Sequence, residues 1–443
     1  MRQTPGFEET IFALSSGRLP AGVAVIRISG PQTRFVIETI CGDVPPREAR
    51  LRWFHDAAGD RIDRGLVLFF PRPHSFTGED CAELHLHGGR AVVDAMISVL
   101  FAFDGCRMAE AGEFTRRAYG NGKFDLTAAE GLADLIAAET DGQRKLALQL
   151  SSGAQAQLYA TWRTELIHAR ALIEAELDFA DETDVPGSVS DRVWASMRDL
   201  QGRIQQHVAD GRRGAIIRDG YRVVILGAPN AGKSSLLNAL AGSDVAIVSE
   251  EAGTTRDLIE IRLDLAGLTV LVTDTAGIRE TDGKVEKIGI ERAMERAANA
   301  DLVLALTDLS NPFPLAIDDD GGRAIVHIGT KADLGPAAAP GKHHLILSTR
   351  TGTGLQELLD LLTERARLAA GDVTDPLPTR RRHLELLGET GREVEAALHQ
   401  ESAPLEVRAE YLRRASHSLG RITGDVDVED ILDVVFSQFC IGK

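Results

Sequence analysis

A phosphate-binding loop is the clearest chemical signal in the sequence. The run Gly227–Ser234 reads G-A-P-N-A-G-K-S, which fits G-x-x-x-x-G-K-[ST], and it directly follows an apolar run that predicts a strand. Backbone N–H groups of such a loop surround a β-phosphate, and the N-terminus of the following helix adds favourable potential. Lys233 would reach the β- and γ-phosphates, and the Ser234 hydroxyl would bind Mg²⁺. A glycine-rich turn without a ligand is the alternative, which the strand–loop–helix context disfavours.

Further motifs follow this loop in the order that a GTPase needs. Asp274 and Gly277 begin and end D-T-A-G after a predicted strand, where they would reach the Mg²⁺ shell and the γ-phosphate. Thr255, in the earlier run A-G-T-T-R-D, can complete the Mg²⁺ ligands. Asp333 closes T-K-A-D and offers a carboxylate to guanine N1–H and N2–H₂, a donor pair that adenine lacks. Ser348–Arg350 would support the base. The ordered set predicts guanine-nucleotide binding.

The predicted nucleotide site departs from a Ras-like site at two positions. Ile278 stands where Ras-type enzymes carry a Gln that positions water, so another group must do this. Thr330 stands where most GTPases have Asn, from which we expect weaker affinity with guanine preference retained by Asp333. The predicted contacts to GTP are Asn230, Ala231, Gly232, Lys233, Ser234, Ser235, Ser249, Glu250, Glu251, Ala252, Gly253, Thr254, Thr255, Asp274, Thr275, Ala276, Gly277, Thr330, Lys331, Asp333, Ser348, Thr349 and Arg350.

Composition limits the classes of protein that fit. The chain has 443 residues, with 49 Lys plus Arg against 66 Asp plus Glu and a net charge of −17. This balance disfavours nucleic-acid binding by bulk charge, because phosphate affinity comes from positive charge, but a local basic patch remains open. Four scattered cysteines form no disulfide or CxxC pattern. With no signal peptide and no membrane-length apolar run, we expect a cytoplasmic protein outside the membrane.

The elements that must position these residues follow three kinds of sequence pattern. Short β-type runs with Gly/Pro turns give an α+β pattern over residues 1–122. Helical periodicity dominates residues 123–217 and returns over 373–443. Strands alternate with helical runs over residues 218–372, which is typical of a parallel sheet with crossover helices. We therefore predict a multidomain fold: an α+β N-terminal domain, an all-α helical domain, and an α/β P-loop G domain inserted into the helical one.

Several runs resemble the MnmE (TrmE) family of tRNA-modification GTPases over essentially the full length. They are E-T-I-F-A-L-S-S, A-V-I-R-I-S-G, S-F-T-G-E-D-C-A-E-L-H-L-H-G-G, the phosphate loop, A-G-T-T-R-D, D-T-A-G-I-R-E and the ending F-C-I-G-K at Phe439–Lys443. The resemblance implies a homodimer that works with the flavoprotein MnmG (GidA), which carries FAD, in a heterotetramer or larger complex. It implies modification of carbon 5 of the wobble uridine in certain tRNAs. Ala228 departs from the family's usual Arg.

The resemblance also implies a potassium site and a catalytic acid. Asn230 matches the family's potassium ligand, and Ser249, Glu251 and Thr254 would complete that site. A monovalent cation beside the phosphates can neutralise developing charge where an arginine finger otherwise would. Glu286 matches the family's catalytic glutamate and would orient the attacking water through a second water. From the residues alone, Glu286 would be a solvated acid at a helix start.

A folate site is implied by four further positions. Arg27, Glu83, Lys123 and Lys443 match the family's pocket for 5-formyl- or 5,10-methylene-tetrahydrofolate. A carboxylate suits the donor edge of a pterin, and cations suit its glutamate tail. Without the resemblance, Arg27 would be interpreted as an edge-strand residue. Cys440 would act as a nucleophile in the implied chemistry, with a buried small hydrophobic residue as the alternative.

Two other questions stay open from the sequence. Candidates for tRNA contact are the runs Arg380–His383, Arg212–Arg213 and Arg413–Arg414, although charged runs at helix starts are usually solvated faces. The chain could instead be a GTP-controlled RNA-binding or ribosome-assembly switch without a chemical role, or a folate one-carbon enzyme that GTP only regulates. The N-terminal domain and the C-I-G-K ending disfavour the switch.

Overall fold

The computed structural model describes residues 8–178, 189–247, 260–274, 299–312, 324–334, 343–372, 376–399, 403–426, 432, 435–437, 439 and 442. The chain forms two compact units. The first contains Met1–Ala133, Leu150–Ser190 and Ser402–Lys443, and the second contains Asp134–Gln149 and Asp191–Glu401. The division into four segments at residues 122, 217 and 372 stays a prediction.

The first unit is built on a six-stranded sheet with the order β3-β4-β5-β2-β1-β6. Only β1 and β6 pair in parallel; the other neighbours are antiparallel. Alternation of apolar and polar residues, as in C-A-E-L-H-L-H-G, gives these strands one buried face. The strands are β1 (Thr10–Leu14), β2 (Ala21–Ser29), β3 (Arg50–His55), β4 (Arg61–Phe70), β5 (Cys81–Gly88) and β6 (Cys106–Met108).

Two helices cover one face of this sheet. These are α1 (Thr33–Cys41) and α2 (Arg90–Phe101), and a third, α3 (Glu113–Gly120), follows β6. Ile26, Leu84 and Met96 are completely buried in the core between the sheet and the first two helices. Burying one such side chain contributes about 1.5–3 kcal/mol, so this layer holds the sheet in place.

A buried ion network stabilises the start of α3. Arg117 is 1% exposed; its Nη2 donates to Glu113 at 2.9 Å and its Nη1 to Glu79 at 3.1 Å. Burial alone would raise the pKa of Glu113, but hydrogen bonds from Arg107, from the Glu110 amide and from Arg117 lower it below its ordinary value. The network therefore keeps Glu113 charged in the folded state.

We expect Glu113→Gln to lower the melting temperature of the first unit by about 5 °C at pH 7, because Arg117 loses a buried charged partner. The folded-state pKa of Glu113 lies below its unfolded value. Its contribution is therefore complete above the unfolded pKa and disappears as the pH falls through the folded pKa. The difference between wild type and variant should narrow below about pH 4 in thermal scans. A difference that is constant from pH 7 to pH 3 would contradict this.

Seven helices make up the all-α part of the residues that the structure describes. In the first unit, α6 packs against α12 and buries Trp162, Leu166, Ala169 and Ile173. Tyr159 continues this buried face toward the start of the helix. The helices are α4 (Leu126–Ala137), α5 (Asp141–Ser151), α6 (Ala154–Asp178), α7 (Val189–Ala209), α8 (Gly211–Asp219), α11 (Arg381–His399) and α12 (Leu405–Thr423).

The second unit contains the predicted α/β module. Its six strands have the order β12-β11-β10-β7-β9-β8, and all pairs except β8–β9 are parallel. Apolar runs such as V-V-I-L in β7 are buried on both faces, as parallel sheets require. The predicted fold classes are confirmed. The elements are β7 (Tyr221–Gly227), α9 (Lys233–Ala241), β8 (Glu260–Leu265), β9 (Leu268–Asp274), β10 (Leu302–Asp308), β11 (Ala324–Thr330), β12 (Leu345–Ile346) and α10 (Leu355–Ala370).

Within the described ranges, every helix is too short or too polar to cross a membrane.

Candidate functional site

The phosphate loop joins β7 to α9, as its motif predicts. Asn230 and Gly232 take left-handed conformations, with φ of 64° and 91°, and the helix begins at Lys233. The Lys233 Nζ donates to the carbonyl oxygens of Gly227 at 2.8 Å and Ala228 at 3.0 Å. The loop thus curves around the amine and leaves the helix N-terminus available to an anion.

Two of the residues predicted around Mg²⁺ meet beside this loop, and the third, Thr255, lies outside the described residues. The Ser234 hydroxyl donates to Oδ2 of Asp274 at 3.0 Å, and Asp274 is 1% exposed at the end of β9. Strands β7 and β9 bring the loop and Asp274 together, because Ile225, near the end of β7, pairs with Asp274 at the end of β9. A hydroxyl and a carboxylate are oxygen ligands of the kind that Mg²⁺ prefers, so the residues fit this ion.

Ser348 and Arg350 position the Asp333 carboxylate, which is predicted to recognise guanine. Asp333 accepts a hydrogen bond from the buried Ser348 hydroxyl at 2.7 Å, and Nη1 of Arg350 lies 3.9 Å from its other oxygen. The Ser348 hydrogen bond lowers the pKa of Asp333 below its ordinary value, with a smaller effect from Arg350. The carboxylate is therefore an acceptor at neutral pH, which suits guanine N1–H and N2–H₂.

Thr330 connects the base motif to the phosphate loop. Its hydroxyl lies 2.8 Å from the Ala231 carbonyl oxygen and 3.2 Å from that of Thr307, and the residue is 3% exposed. The next residue, Lys331, contacts Asp308 at 2.6 Å. A threonine at this position therefore attaches the end of β11 to the loop.

We expect Thr330→Val to weaken GTP binding about tenfold. Valine has the shape of threonine, but it leaves the buried Ala231 carbonyl without its donor, which costs about 1–3 kcal/mol. Dissociation of a fluorescent GDP analogue would measure the effect. Thr330→Ser keeps the hydroxyl and is the matched control, with affinity close to wild type. Equal affinities for the Val and Ser variants would show that the hydroxyl does not matter.

Arg27 and Glu83 form a pair in the first unit. They face each other across β2 and β5, with Arg27 Nη2 donating to Glu83 Oε1 at 2.9 Å. The Arg27 guanidinium lies over the rings of Phe76, at 5.1 Å, and Phe114, at 5.8 Å. Because β2 lies between β5 and β1, the interpretation of Arg27 as an edge-strand residue is wrong.

Lys123 contacts the same loop that contributes Phe76. Its Nζ donates to the Pro73 carbonyl oxygen at 2.9 Å. No motif in the sequence pointed to Phe76 and Phe114, because their approach to Arg27 depends on the fold of the loop and of α3.

The described part of the carboxyl-terminal segment packs in the first unit. Phe439 is buried with Leu126, and the Ser15 hydroxyl donates to the Gly442 carbonyl at 2.8 Å. Gly442 has φ of 98°, and a Cβ there would lie 2.3 Å from the Leu14 carbonyl oxygen, so only glycine fits.

A number of the predicted site residues lie outside the described residues. They are Ser249, Glu250, Glu251, Ala252, Gly253, Thr254, Thr255, Thr275, Ala276, Gly277, Glu286, Cys440 and Lys443.

Some arginines proposed for RNA contact bind other parts of the second unit. Arg380 donates to Asp134 at 2.7 Å and its side chain is 12% exposed. Arg213 donates to the Ala370 carbonyl oxygen at 3.0 Å. Arg381, in contrast, has a side chain that is 92% exposed. Of these three, Arg381 is the most accessible to an outside partner.

The geometry defines a class of protein: a P-loop GTPase carrying an additional α+β sheet and helices. A model of the GTP-binding protein TrmE N-terminus matches residues 10–123, and one of the MnmE helical domain matches residues 126–440. The tRNA modification GTPase MnmE of Brucella melitensis biotype 1 is 63% identical over 445 residues, covering 100% of both chains. That of Brucella anthropi is 62% identical over 444 residues, also covering 100% of both.

The G domain of the T. maritima FeoB iron transporter is similar to part of the chain. The two share 26% identity, the match covers 34% of this chain and 99% of that G domain, and the TM-score is 0.26. The full-length relatives and the two family models decide the assignment: the chain belongs to the MnmE family of tRNA modification GTPases. The resemblance predicted from the motifs is confirmed.

Proposed function

We propose that the chain couples GTP hydrolysis to modification of tRNA. With the flavoprotein MnmG (GidA) and its FAD, it converts carbon 5 of the wobble uridine, position 34, to the aminomethyl or carboxymethylaminomethyl form. GTP binding is supported by two hydrogen bonds in the α/β module that contains the phosphate loop. One joins Ser234 to Asp274, and the other joins Ser348 to Asp333. The tRNA part is supported by the name of the full-length relatives, tRNA modification GTPase.

Five described residues of the nucleotide site have specific roles in this proposal. Lys233 moves from the loop carbonyls to the β- and γ-phosphates, and Ser234 and Asp274 hold Mg²⁺. The ion, when bound, neutralises charge that develops on the phosphate oxygens. Asp333 selects guanine, and Thr330 keeps the loop in register with the base motif.

The potassium site and the catalytic acid extend the proposal to residues outside the described ranges. Asn230 takes a left-handed conformation in the phosphate loop, at φ 64°. Backbone oxygens of Ser249 and Glu251, together with Thr254, complete the K⁺ ligands. Glu286 orients the attacking water in place of the Gln that Ile278 replaces.

A tetrahydrofolate one-carbon unit, as the 5-formyl or 5,10-methylene form, serves the uridine chemistry. Arg27 and Glu83 fit a pterin edge, because Oε1 of Glu83 is held by Arg27 while Oε2 lies 3.5 Å from His85 Nε2 and can accept from the ligand. Lys123 and Lys443 bind the glutamate tail. Cys440, which follows the buried Phe439 in the chain, supplies the nucleophile.

A homodimer forms through the first unit. Leu51 pairs with Leu66 across β3 and β4, and their exposed fractions are 51% and 41%. Trp53, on the same face, is 39% exposed. Apolar side chains grouped on one exposed sheet face favour protein contact.

We place the complex in the cytoplasm, with Arg381 and the flavoprotein surface meeting tRNA.

The proposal is tested by the GTP hydrolysis rate in K⁺ against Na⁺ at equal ionic strength, with and without the flavoprotein. We expect faster hydrolysis in K⁺ and further stimulation by the partner. Equal rates in both ions would contradict the Asn230 assignment. Binding of tetrahydrofolate to the full-length chain separates this function from an RNA-binding switch, which has no use for a pterin.

A further inference from the structure

The turn between β8 and β9 meets the start of α5 closely. Ala266 and Gly267 form a two-residue turn with φ of 56° and 85°, which is the conformation of a type I′ hairpin. The Gly142 N–H donates to the Gly267 carbonyl oxygen at 2.8 Å. A Cβ on Gly142 would lie 2.5 Å from that oxygen, so the contact depends on the missing side chain.

Two side-chain pairs flank this backbone contact. The hydroxyls of Thr140 and Thr269 are 3.4 Å apart, and both residues are buried. Arg262 of β8 donates to Glu139 at 2.8 Å. The hairpin is therefore held by a hydrogen bond, a buried polar pair and an ion pair. All three contacts are made by residues 139–142, which form the start of α5 and the end of the loop before it.

The same segment also holds the end of α8. Gln143 Nε2 donates to the Arg218 carbonyl oxygen at 2.9 Å, while its Oε1 accepts from the Thr140 N–H at 3.2 Å. In the sequence T-x-x-Q this is one half of a capping box, in which the Gln143 side chain accepts from the backbone at the helix start. Helix α8 ends at Asp219, two residues before β7 begins at Tyr221.

Residues 139–143 thus hold the starts of two neighbouring parallel strands. The other ends of β7 and β9 carry the phosphate loop and Asp274, whose distance from the Ser234 hydroxyl is 3.0 Å. Strands are stiff along their axes, so a displacement at one end reaches the other. We infer that residues 139–143 are a positioning clamp for the nucleotide site, which fixes the distance between Asp274 and Ser234. This inference rests on the proposed Mg²⁺-dependent hydrolysis of GTP.

The sharpest test is Gly142→Ala in the full-length protein. Gly142 lies in a helix, where alanine is favourable, so the variant should fold, yet the new Cβ pushes the Gly267 carbonyl away by roughly 1 Å. We expect kcat for GTP hydrolysis to fall on the order of tenfold. The Mg²⁺ concentration for half-maximal rate should rise, while GDP affinity without Mg²⁺ stays at the wild-type value.

Gly202→Ala is the matched control, because a Cβ there meets nothing within 4 Å and Gly202 also lies in a helix of the second unit. It should hydrolyse GTP like wild type. A Gly142→Ala variant with wild-type kcat and wild-type Mg²⁺ dependence would overturn the clamp while leaving the proposed function intact. A wild-type protein without GTP hydrolysis would overturn the proposed function, and the clamp with it.

A charge exchange gives a second, independent measurement. Glu139→Arg and Arg262→Glu each place like charges 2.8 Å apart in the present geometry, so each should reduce kcat. The double variant restores opposite charges and should recover most of the rate. No recovery in the double variant would contradict the clamp.

Discussion

Asp333→Asn should lower the affinity for GTP by on the order of a hundredfold and raise the affinity for xanthosine triphosphate. In the proposed site the wild-type carboxylate would accept from two guanine donors. The Ser348 hydroxyl at 2.7 Å keeps it in place. An amide presents its NH₂ group to one of those donors, which removes a charge-assisted hydrogen bond and opposes two donors. Xanthine carries an oxygen in place of the guanine N2–H₂, so the amide can donate to it.

Competition binding against a fluorescent guanine nucleotide would measure this change in preference between GTP and xanthosine triphosphate. Asp360→Asn is the matched control, because Asp360 is exposed on α10 and contacts Gln356. It should bind GTP like wild type. If ATP competed as well as GTP for the wild-type protein, or if Asp333→Asn kept its preference for GTP, the assignment of the base-recognition residue would fail.

Lys233→Met should reduce the rate of GTP hydrolysis by about 10²–10³. Lys233 is only 9% exposed, and its amine donates to loop carbonyls that it would leave when phosphate arrives. Methionine fills similar volume but supplies neither charge nor donor to the developing charge on the phosphates.

Single-turnover hydrolysis under saturating GTP separates this effect from weaker binding. Lys233→Arg keeps the charge but replaces a compact ammonium by a planar fork that the loop carbonyls of Gly227 and Ala228 are not shaped to receive. It should also hydrolyse slowly. A Met variant with at least half the wild-type rate would exclude Lys233 from catalysis.

The site residues that end or follow a strand were predictable from the sequence. Lys233 and Ser234 follow one strand within a single motif, and Asp274 and Asp333 each end or follow another. Carboxyl ends of parallel strands meet at one edge of a sheet, so recognising the strands was enough to bring these residues together. The structure bears this out in the contact of Ser234 with Asp274 and in the position of Asp333 beside Ser348.

Contacts between distant segments could not be predicted in this way. Thr330 reaches the carbonyl of Ala231, 99 residues earlier in the chain, and Gly142 reaches Gly267. Neither pair leaves a periodic signal, because one hydroxyl or one glycine fits many environments. The position of Arg27 on a central strand also depends on strand order, which alternation of polar and apolar residues does not encode.

We propose that GTP turnover by this chain drives modification of the wobble uridine. The most direct test is mass spectrometry of tRNA nucleosides from cells that lack the gene and carry either the wild-type chain or Lys233→Met at equal expression. We predict that the wild type restores the carboxymethylaminomethyl and aminomethyl nucleosides and that the variant leaves the uridine unmodified. Full modification with Lys233→Met would contradict the account.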